Sequence, residues 1–436
     1  MNSLTNKFWR LLTPTKANFL WMMLGNGIYA LCQWGMLVVL AKLGSPEVVG
    51  RFALATAIVT PVIMITNMQL RSVQATDAKH EYHLADYISV RIVCSTAALI
   101  IILAILGIGN FEAAAITATL TLTLAKFVES LSDVFYGFFQ QHEKMSLLAK
   151  SMILKGALSV LVLGIMFFLF NRLPLALIGL LCAWMLVLIL YDWRNGERLL
   201  QAQDASNHQL SLIAATLRSL RQQREVMWKI IKLAFPLGIV MGIISLNTNI
   251  PIYAIEKFLG SRELGIFAAL AYTTVAVNMF IQALGQAVSP RLARAFAEGH
   301  LTEFKRIVRK MTLINFSIGL TGVLIVILGG EPILTLIYTA EYGEYATLFL
   351  ILMVSATLLG VASAFGYAMT AARQFKMQVP LFTAVLVSTS LTAFLLIPHW
   401  GLYGAAFALI TSALIQIIGS AWIVVRALRF RKQLAV

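Results

Sequence analysis

The 436-residue sequence is 59% hydrophobic and only 12% charged, with a mean hydropathy of +0.83. This balance excludes an ordinary soluble domain, in which charged residues make up about a quarter of the chain. The net charge of +15 is spread over the segments between apolar runs instead of one soluble face, so nucleic acid is excluded as a partner.

Apolar runs long enough to cross a bilayer recur along the whole chain. A spanning helix needs about 20 mostly apolar residues and satisfies its own backbone hydrogen bonds in lipid. The sequence therefore predicts an all-α polytopic membrane protein with about twelve transmembrane helices. Their predicted positions are approximately 17–41, 48–70, 87–108, 113–138, 147–170, 173–192, 230–255, 264–289, 309–329, 345–371, 378–398 and 402–425.

The basic residues are distributed one-sidedly. Most of the 34 Lys and Arg residues fall in or around alternate inter-span segments, among them Lys155, which we count with the basic residues around the segment between spans 4 and 5. The positive-inside rule then predicts that both termini are cytoplasmic. Residues 1–16 are polar and basic, and the apolar stretch that follows is too long for a signal-peptide core, so no cleavable signal is expected. Cys32, Cys94 and Cys182 lie in predicted spans and are expected to be small buried hydrophobes, not disulfides or metal ligands.

A short motif recurs at the ends of predicted spans 1 and 7. Residues 42–53 read KLGSPEVVGRFA and residues 257–268 read KFLGSRELGIFA. Six spans in each half make this a parallel repeat about an axis along the membrane normal, with the substrate path expected at the seam. We predict two pseudo-symmetric six-helix lobes around a central cavity, at 1–192 and 230–436, the second ending in a basic cytoplasmic tail. Residues 193–229 are the predicted cytoplasmic linker.

The linker contains an amphipathic stretch. Four apolar residues share one helical face opposite three arginines: Leu210, Ile213, Leu217 and Leu220 against Arg218, Arg221 and Arg224. Two interpretations stay open, an interfacial helix touching anionic lipid and a solvated helical tether.

Predicted span 4 carries three ionisable residues on one face. Lys126, Glu129 and Asp133 are at i, i+3 and i+7, and a charge within hydrocarbon is a functional hypothesis by default. In one interpretation Glu129 neutralises Lys126 locally. In the other the face lines a water-filled lumen, where Lys126 meets an anionic substrate and Glu129 or Asp133 carries the coupling ion.

Amide side chains occupy matching positions on the first two helices of each half. They are Gln33 and Asn67 in the first half, and Asn249, Asn278, Gln282 and Gln286 in the second, with Arg71 falling opposite Gln286. Amides both donate and accept, which suits sugar hydroxyls. Each amide alone is as well explained as a contact between helices, but the set favours a lumen.

The sequence contains no motif for several common kinds of protein chemistry. There is no phosphate loop for ATP hydrolysis, no His/Cys cluster with metal-ligand spacing, and no nucleophile paired with a base. We therefore predict a protein that is not an enzyme and that holds no cofactor and no metal. The short predicted outer loops, about 6–16 residues, disfavour a membrane glycan polymerase or ligase.

Four stretches, in order and spacing across essentially the whole chain, carry a resemblance to a known family. They lie at residues 43–52 (LGSPEVVGRF), 129–140 (ESLSDVFYGFFQ), 337–346 (IYTAEYGEYA) and 398–406 (PHWGLYGAA). They resemble the polysaccharide-transporter branch of the multidrug/oligosaccharidyl-lipid/polysaccharide exporter superfamily, which includes O-antigen flippases.

The resemblance implies a bacterial inner-membrane flippase with a cationic central cavity that opens alternately to each side. Its cargo would be an undecaprenyl-diphosphate oligosaccharide, moved to the outer leaflet for O-antigen, capsule or exopolysaccharide assembly. Lys126 and Arg71 are the candidates for the diphosphate, with Arg91 a third if span 3 faces inward. Glu129 and Asp133 are the candidate ion carriers.

Membrane lipids, a glycan polymerase and chain-length proteins are the further partners expected on this interpretation. A drug/cation antiporter of the same superfamily is the main alternative, and it would need a mainly apolar, acidic cavity. A membrane glycan polymerase or ligase, or a scaffold in a glycan-assembly complex, stays open.

Overall fold

The computed structural model describes residues 14–77, 80–109, 111–203 and 211–433, and every regular element in these ranges is a helix. Leu210 of the predicted amphipathic face lies outside the described residues. We number the helices in chain order: α1 (Pro14–Leu43), α2 (Pro46–Asn67), α3 (Leu70–Ala75), α4 (Leu84–Ile108), α5 (Ala113–Gln141), α6 (Met145–Phe170), α7 (Leu173–Val187), a π-helical turn (Leu188–Trp193), α8 (Arg194–Gln203), α9 (Leu212–Gln222), α10 (Arg224–Phe258), α11 (Ser261–Thr273), α12 (Val275–Ala297), α13 (Leu301–Ile337), α14 (Ala340–Gly343), α15 (Ala346–Ala371) and α16 (Phe375–Gln433).

Within the described ranges, ten helices are long and apolar enough to cross a membrane. The pair Ser261–Thr273 and Val277–Ala297, bent by 41°, is an eleventh candidate. The stretch Lys376–Arg431 counts once although it has 56 residues, which at 1.5 Å per residue exceeds twice the hydrocarbon thickness of about 30 Å. Its backbone breaks at Gly401, where φ is 55° and ψ is −136°, so it contains two spans. The predicted all-α polytopic class is confirmed.

Several helices extend beyond the predicted spans. The helix of predicted span 6 continues past residue 192 through the π-helical turn into α8, which ends at Gln203. At the other end of the linker, α10 begins at Arg224, before the predicted start at 230. Hydropathy marks where lipid ends, whereas backbone hydrogen bonding carries a helix onward into water.

The three cysteines have free thiols, as expected. However, Cys182 is exposed, and the other two are half-buried, so the expectation that all three are buried is wrong. The outward face of a spanning helix can be apolar because it would meet lipid, not water.

The chain divides into two compact units. One comprises Met1–Leu43 and Ala55–Gly242, and the other comprises Gly44–Leu54 and Ile243–Val436. In the first unit α1 packs on α6, and α7 packs on both α5 and α6. In the second unit α15 packs on α12, α13 and α16, around a buried cluster that includes Phe304, Met311 and Val385.

The repeated motif forms a close helix crossing within the second unit, where the first turns of α2 meet α11. A Cβ added at Gly50 would overlap the carbonyl of Ser261, and one added at Gly265 would overlap the carbonyl of Pro46. These contacts are reciprocal, because Gly50 and Gly265 are equivalent in the repeat, as are Pro46 and Ser261. Small residues allow this close approach of backbones between membrane helices.

Replacing Gly265 by Ala is expected to lower the thermal stability of the purified protein, by about 1–3 kcal/mol for overpacking. The matched control is Gly366→Ala in α15, where an added Cβ meets nothing within 4 Å. That change should be neutral or slightly stabilising, because Ala favours helix over Gly. Equal melting temperatures for the two variants in the same detergent would contradict the close crossing.

Candidate functional site

Several ionisable side chains within the spans form three groups inside the first unit. The first group centres on Glu129 of α5. Its Oε2 lies 2.7 Å from Lys126 Nζ, and its Oε1 accepts a hydrogen bond from the Tyr29 hydroxyl of α1. Lys126 Nζ also lies 5.3 Å from the ring centroid of Trp184, a cation–π distance. The predicted pairing of Lys126 with Glu129 is therefore confirmed. Gln33, one helical turn beyond Tyr29 on α1, is half-buried.

The second group centres on Asp133, which bridges two arginines from other helices. Arg91 Nη2 of α4 lies 3.2 Å from Asp133 Oδ2, and Arg71 Nη1 of α3 lies 3.7 Å from Oδ1. Arg91 is fully buried, and its Nη1 donates to both the backbone carbonyl and the side-chain Oδ1 of Asn67. Arg71 Nε donates to Gln140 Oε1 at 3.3 Å. Arg91 therefore points into the packed interior of this unit, and its facing a central cavity stays a prediction.

The backbone between α2 and α3 brings Arg71 to this position. Met68 and Gln69 both have left-handed φ angles, 50° and 52°, which end α2 and redirect the chain into the short helix α3. Left-handed conformations cost energy for residues other than glycine and concentrate at functional sites. Gly137 then lets α3 approach α5, because a Cβ there would overlap Gln74.

The third group, Lys155 and Asp192, was not identified from the sequence. Lys155 Nζ of α6 lies 3.3 Å from Asp192 Oδ2, and the two side chains are 1% and 0% exposed. Counting Lys155 with the basic residues around the segment between spans 4 and 5 is therefore wrong. Lys155 lies ten residues into a helix that begins at Met145, about 15 Å along its axis. That depth was the signal available in the sequence.

Tyr136 connects the second and third groups. Its ring centroid lies 5.7 Å from the Arg71 guanidinium and 5.2 Å from Lys155 Nζ. Its hydroxyl is 2.9 Å from Ser151 Oγ. Asp192 lies in the π-helical turn, a distortion that is frequent at functional sites because it changes which side chains face inward.

The predicted amides of the second half lie in the second unit and differ in exposure. Asn249 Nδ2 donates to the Ser245 carbonyl of the same helix at 2.8 Å. Asn278 is half-buried, whereas Gln282 and Gln286 are exposed one turn apart on α12. The structure therefore pairs Lys126 with Glu129 and joins Asp133, Arg71, Arg91 and Asn67 by direct contacts. It leaves these four amides as a separate set.

Breaking the Lys155–Asp192 pair is expected to be severely destabilising. Lys155→Met alone leaves a buried carboxylate without its cation and should cost about 3–5 kcal/mol of stability. The double variant Lys155→Met/Asp192→Leu should recover much of that loss, since it removes both charges. Thermal unfolding of the single and double variants measures the coupling, and strictly additive losses would contradict the pairing.

Comparisons with known proteins assign the chain to a protein family. The family model described as "Polysaccharide biosynthesis protein" matches residues 15–296. The chain is 29% identical over 402 residues to the capsular polysaccharide biosynthesis protein CapF of Staphylococcus aureus, covering 92% of this chain and 97% of that protein.

Two solved structures show the fold. An inward-facing multidrug resistance MATE transporter of the MOP superfamily matches with a TM-score of 0.71 and 15% identity, covering 95% of this chain and 100% of that one. The lipid II flippase MurJ, in an inward closed conformation, matches with a TM-score of 0.72 and 12% identity, covering 94% of this chain and 91% of that one. The predicted family resemblance is confirmed: the chain belongs to the polysaccharide biosynthesis protein family, and its fold is that of these membrane transporters.

Proposed function

We propose that this multi-pass membrane protein is an alternating-access flippase that moves an undecaprenyl-diphosphate-linked oligosaccharide from the cytoplasmic to the outer leaflet. The observation that carries the proposal is the set of paired basic side chains, buried or half-buried, in the first unit, in a chain of a polysaccharide biosynthesis family. Structural relatives with this fold are transporters and a flippase, which supports a transport role without catalysis.

The sign of the charge in the three groups favours an anionic cargo. Within the described residues, the ion pairs of Lys126, Arg71, Arg91 and Lys155 involve three carboxylates, those of Glu129, Asp133 and Asp192. A diphosphate would take charge-assisted hydrogen bonds from Lys and Arg. A drug/cation antiporter would need the opposite balance, with carboxylates in excess, so this alternative is disfavoured.

Cargo binding would compete with the carboxylates that already hold these cations. Lys126 and Arg71 are the proposed diphosphate ligands because both are partly exposed, each with 24% of its side-chain surface accessible. A phosphate that takes Lys126 displaces Glu129, and one that takes Arg71 leaves Asp133 with Arg91. A carboxylate left unpaired in a low-dielectric interior is neutralised by a proton instead of staying charged. Glu129 is therefore the first proposed proton carrier, and Asp133, which would keep Arg91, is the second.

The sugar portion of the cargo would be held by amide side chains. Two amides in the first unit already accept hydrogen bonds from arginines. Asn67 and Gln140 hold Arg91 and Arg71, so they position the cations. Gln33, Asn249, Asn278, Gln282 and Gln286 are the proposed sugar contacts, on the two lobes 1–192 and 230–436 that would enclose the cavity. A glycan polymerase and chain-length proteins would receive the product.

The proposed direction rests on orientation in the membrane. Most Lys and Arg residues lie on one side of the predicted spans, which by the positive-inside rule is the cytoplasm. Both termini would then be cytoplasmic, and the membrane would be the bacterial inner membrane.

Deleting the protein is expected to deplete the outer-leaflet pool of lipid-linked glycan and to leave the inner-leaflet pool intact or enlarged. Leaflet-specific labelling of the glycan in intact cells and in inverted vesicles measures both pools. An unchanged outer-leaflet pool would disprove the flippase function.

Substituting Lys126 by Ala should reduce translocation roughly ten- to a hundredfold, which corresponds to losing one charge-assisted hydrogen bond of about 1.5–3 kcal/mol. Lys126→Arg should retain more activity because it keeps the charge. The control is Lys305→Ala on the exposed start of α13, which removes the same charge outside the cluster. Full activity of Lys126→Ala at normal membrane abundance would remove this residue from the mechanism.

Binding of undecaprenyl diphosphate to the purified chain should strengthen as the pH falls, because protonation of Glu129 releases Lys126. Glu129→Gln should bind more tightly at neutral pH and show a flatter pH dependence. Glu303→Gln, on an exposed surface of α13, should behave like the wild type. If Glu129→Gln keeps the wild-type pH profile, another group carries the proton.

A further inference from the structure

Helix α9 presents three different faces along its 11 residues. Leu212, Thr216 and Ser219 are buried and form the face that packs on α4. Ser219 Oγ donates to Asp86 Oδ1 at 2.8 Å, and Ser89 Oγ donates to the Thr216 carbonyl at 3.2 Å. The helix is therefore docked on the face that carries Leu212, Thr216 and Ser219, and not on the predicted apolar face.

The apolar face of α9 remains uncovered within the described part of the chain. Ile213 and Leu217 are 57% and 50% exposed. Next to them lie the exposed residues Arg218 and Arg221, with Arg224 opening α10. Exposed apolar residues beside arginines, on a helix already anchored to a spanning helix, are typical of a helix lying in a membrane interface.

The depth of α9 follows from the helix after it. With 35 residues, α10 measures about 52 Å, well beyond the hydrocarbon thickness of about 30 Å. Its first turns therefore extend into the headgroup region. Trp228 there is 56% exposed, and Lys232 Nζ lies 5.7 Å from its ring centroid. Exposed Trp with Lys is the usual composition at the membrane–water interface.

We propose that α9 and the first turns of α10 bind the head groups of anionic phospholipids, with Ile213 and Leu217 inserted among the acyl chains. The stretch 211–232 contains five basic residues and a single carboxylate, Glu225, which gives it the charge complementary to an anionic leaflet. Each basic residue at such a surface contributes about 1 kcal/mol, or roughly a fivefold preference. The alternative is that this face binds another protein. Quenching of a label at position 217 by lipid would exclude this alternative, and its absence would support it.

Lipid binding at this surface would affect Arg91, which belongs to the group centred on Asp133. Asp86 and Ser89, which hold α9, lie on the first turns of α4, immediately before Arg91. A lipid that fixes α9 would thus steady the segment that positions Arg91. The inference does not depend on the identity of the cargo, so it can fail while the proposed function holds.

The test uses the full chain with Cys32, Cys94 and Cys182 replaced by Ala and a fluorophore on Leu217→Cys. The protein is reconstituted in vesicles of equal parts phosphatidylcholine and phosphatidylglycerol, with bromine on one lipid or the other as a quencher. Phosphatidylglycerol should quench severalfold more than phosphatidylcholine, and added salt should reduce the excess. A label on Gln222→Cys, on the opposite side of α9, should be quenched less by either lipid.

The variant Arg218→Gln/Arg221→Gln/Arg224→Gln should lose the excess quenching by phosphatidylglycerol. The matched control Lys305→Gln/Arg306→Gln/Arg309→Gln removes equal charge from the exposed start of α13 and should keep it. Equal quenching by both lipids in the unmodified chain, or no quenching at position 217, would overturn the proposal. If the arginine variant does not fold, the salt dependence of quenching in the unmodified chain tests the proposal. An excess quenching by phosphatidylglycerol that salt leaves unchanged would contradict it.

Discussion

The structure depends on the requirement that no charge inside a spanning bundle is left without a partner, because an isolated charge in a low-dielectric interior is very costly. Asp133 satisfies it by bridging arginines from α3 and α4. Asp192 and Lys155 satisfy it by joining the π-helical turn to α6. Each pair therefore fixes one helix against another, so the charges that would carry function also define the packing of the first unit.

The irregular parts of the backbone lie where these pairs are made. Two consecutive left-handed residues turn the chain after α2 and bring Arg71 to Asp133. A π-helical turn holds Asp192. In regular α-helices, the same side chains would fall at other angles around their axes. The local cost of these distortions is offset by the ion pairs that they permit.

A site whose cations are already paired differs from an open cationic pocket. In the proposed mechanism, an arriving phosphate would not meet free lysines and arginines; it would exchange one anion for another at Lys126 or Arg71. The net cost of desolvation is small, because the cation stays paired throughout. Exchange of this kind links the cargo to the protonation of the displaced carboxylates, which gives the proposed transport a route to an ion gradient.

The sequence by itself determined the helical membrane class, the approximate spans and the repeated motif, because hydropathy and motif recurrence are properties of consecutive residues. It also offered the pairing of Lys126 with Glu129 as one of two interpretations, since i and i+3 are neighbours on any helix, and the structure contains that pair. The partners of Asp133, the pairing of Lys155 with Asp192 and the docked face of α9 came only from the tertiary structure. Each depends on which helices pack together, and on backbone irregularities at Met68, Gln69 and Asp192 that no periodic pattern encodes.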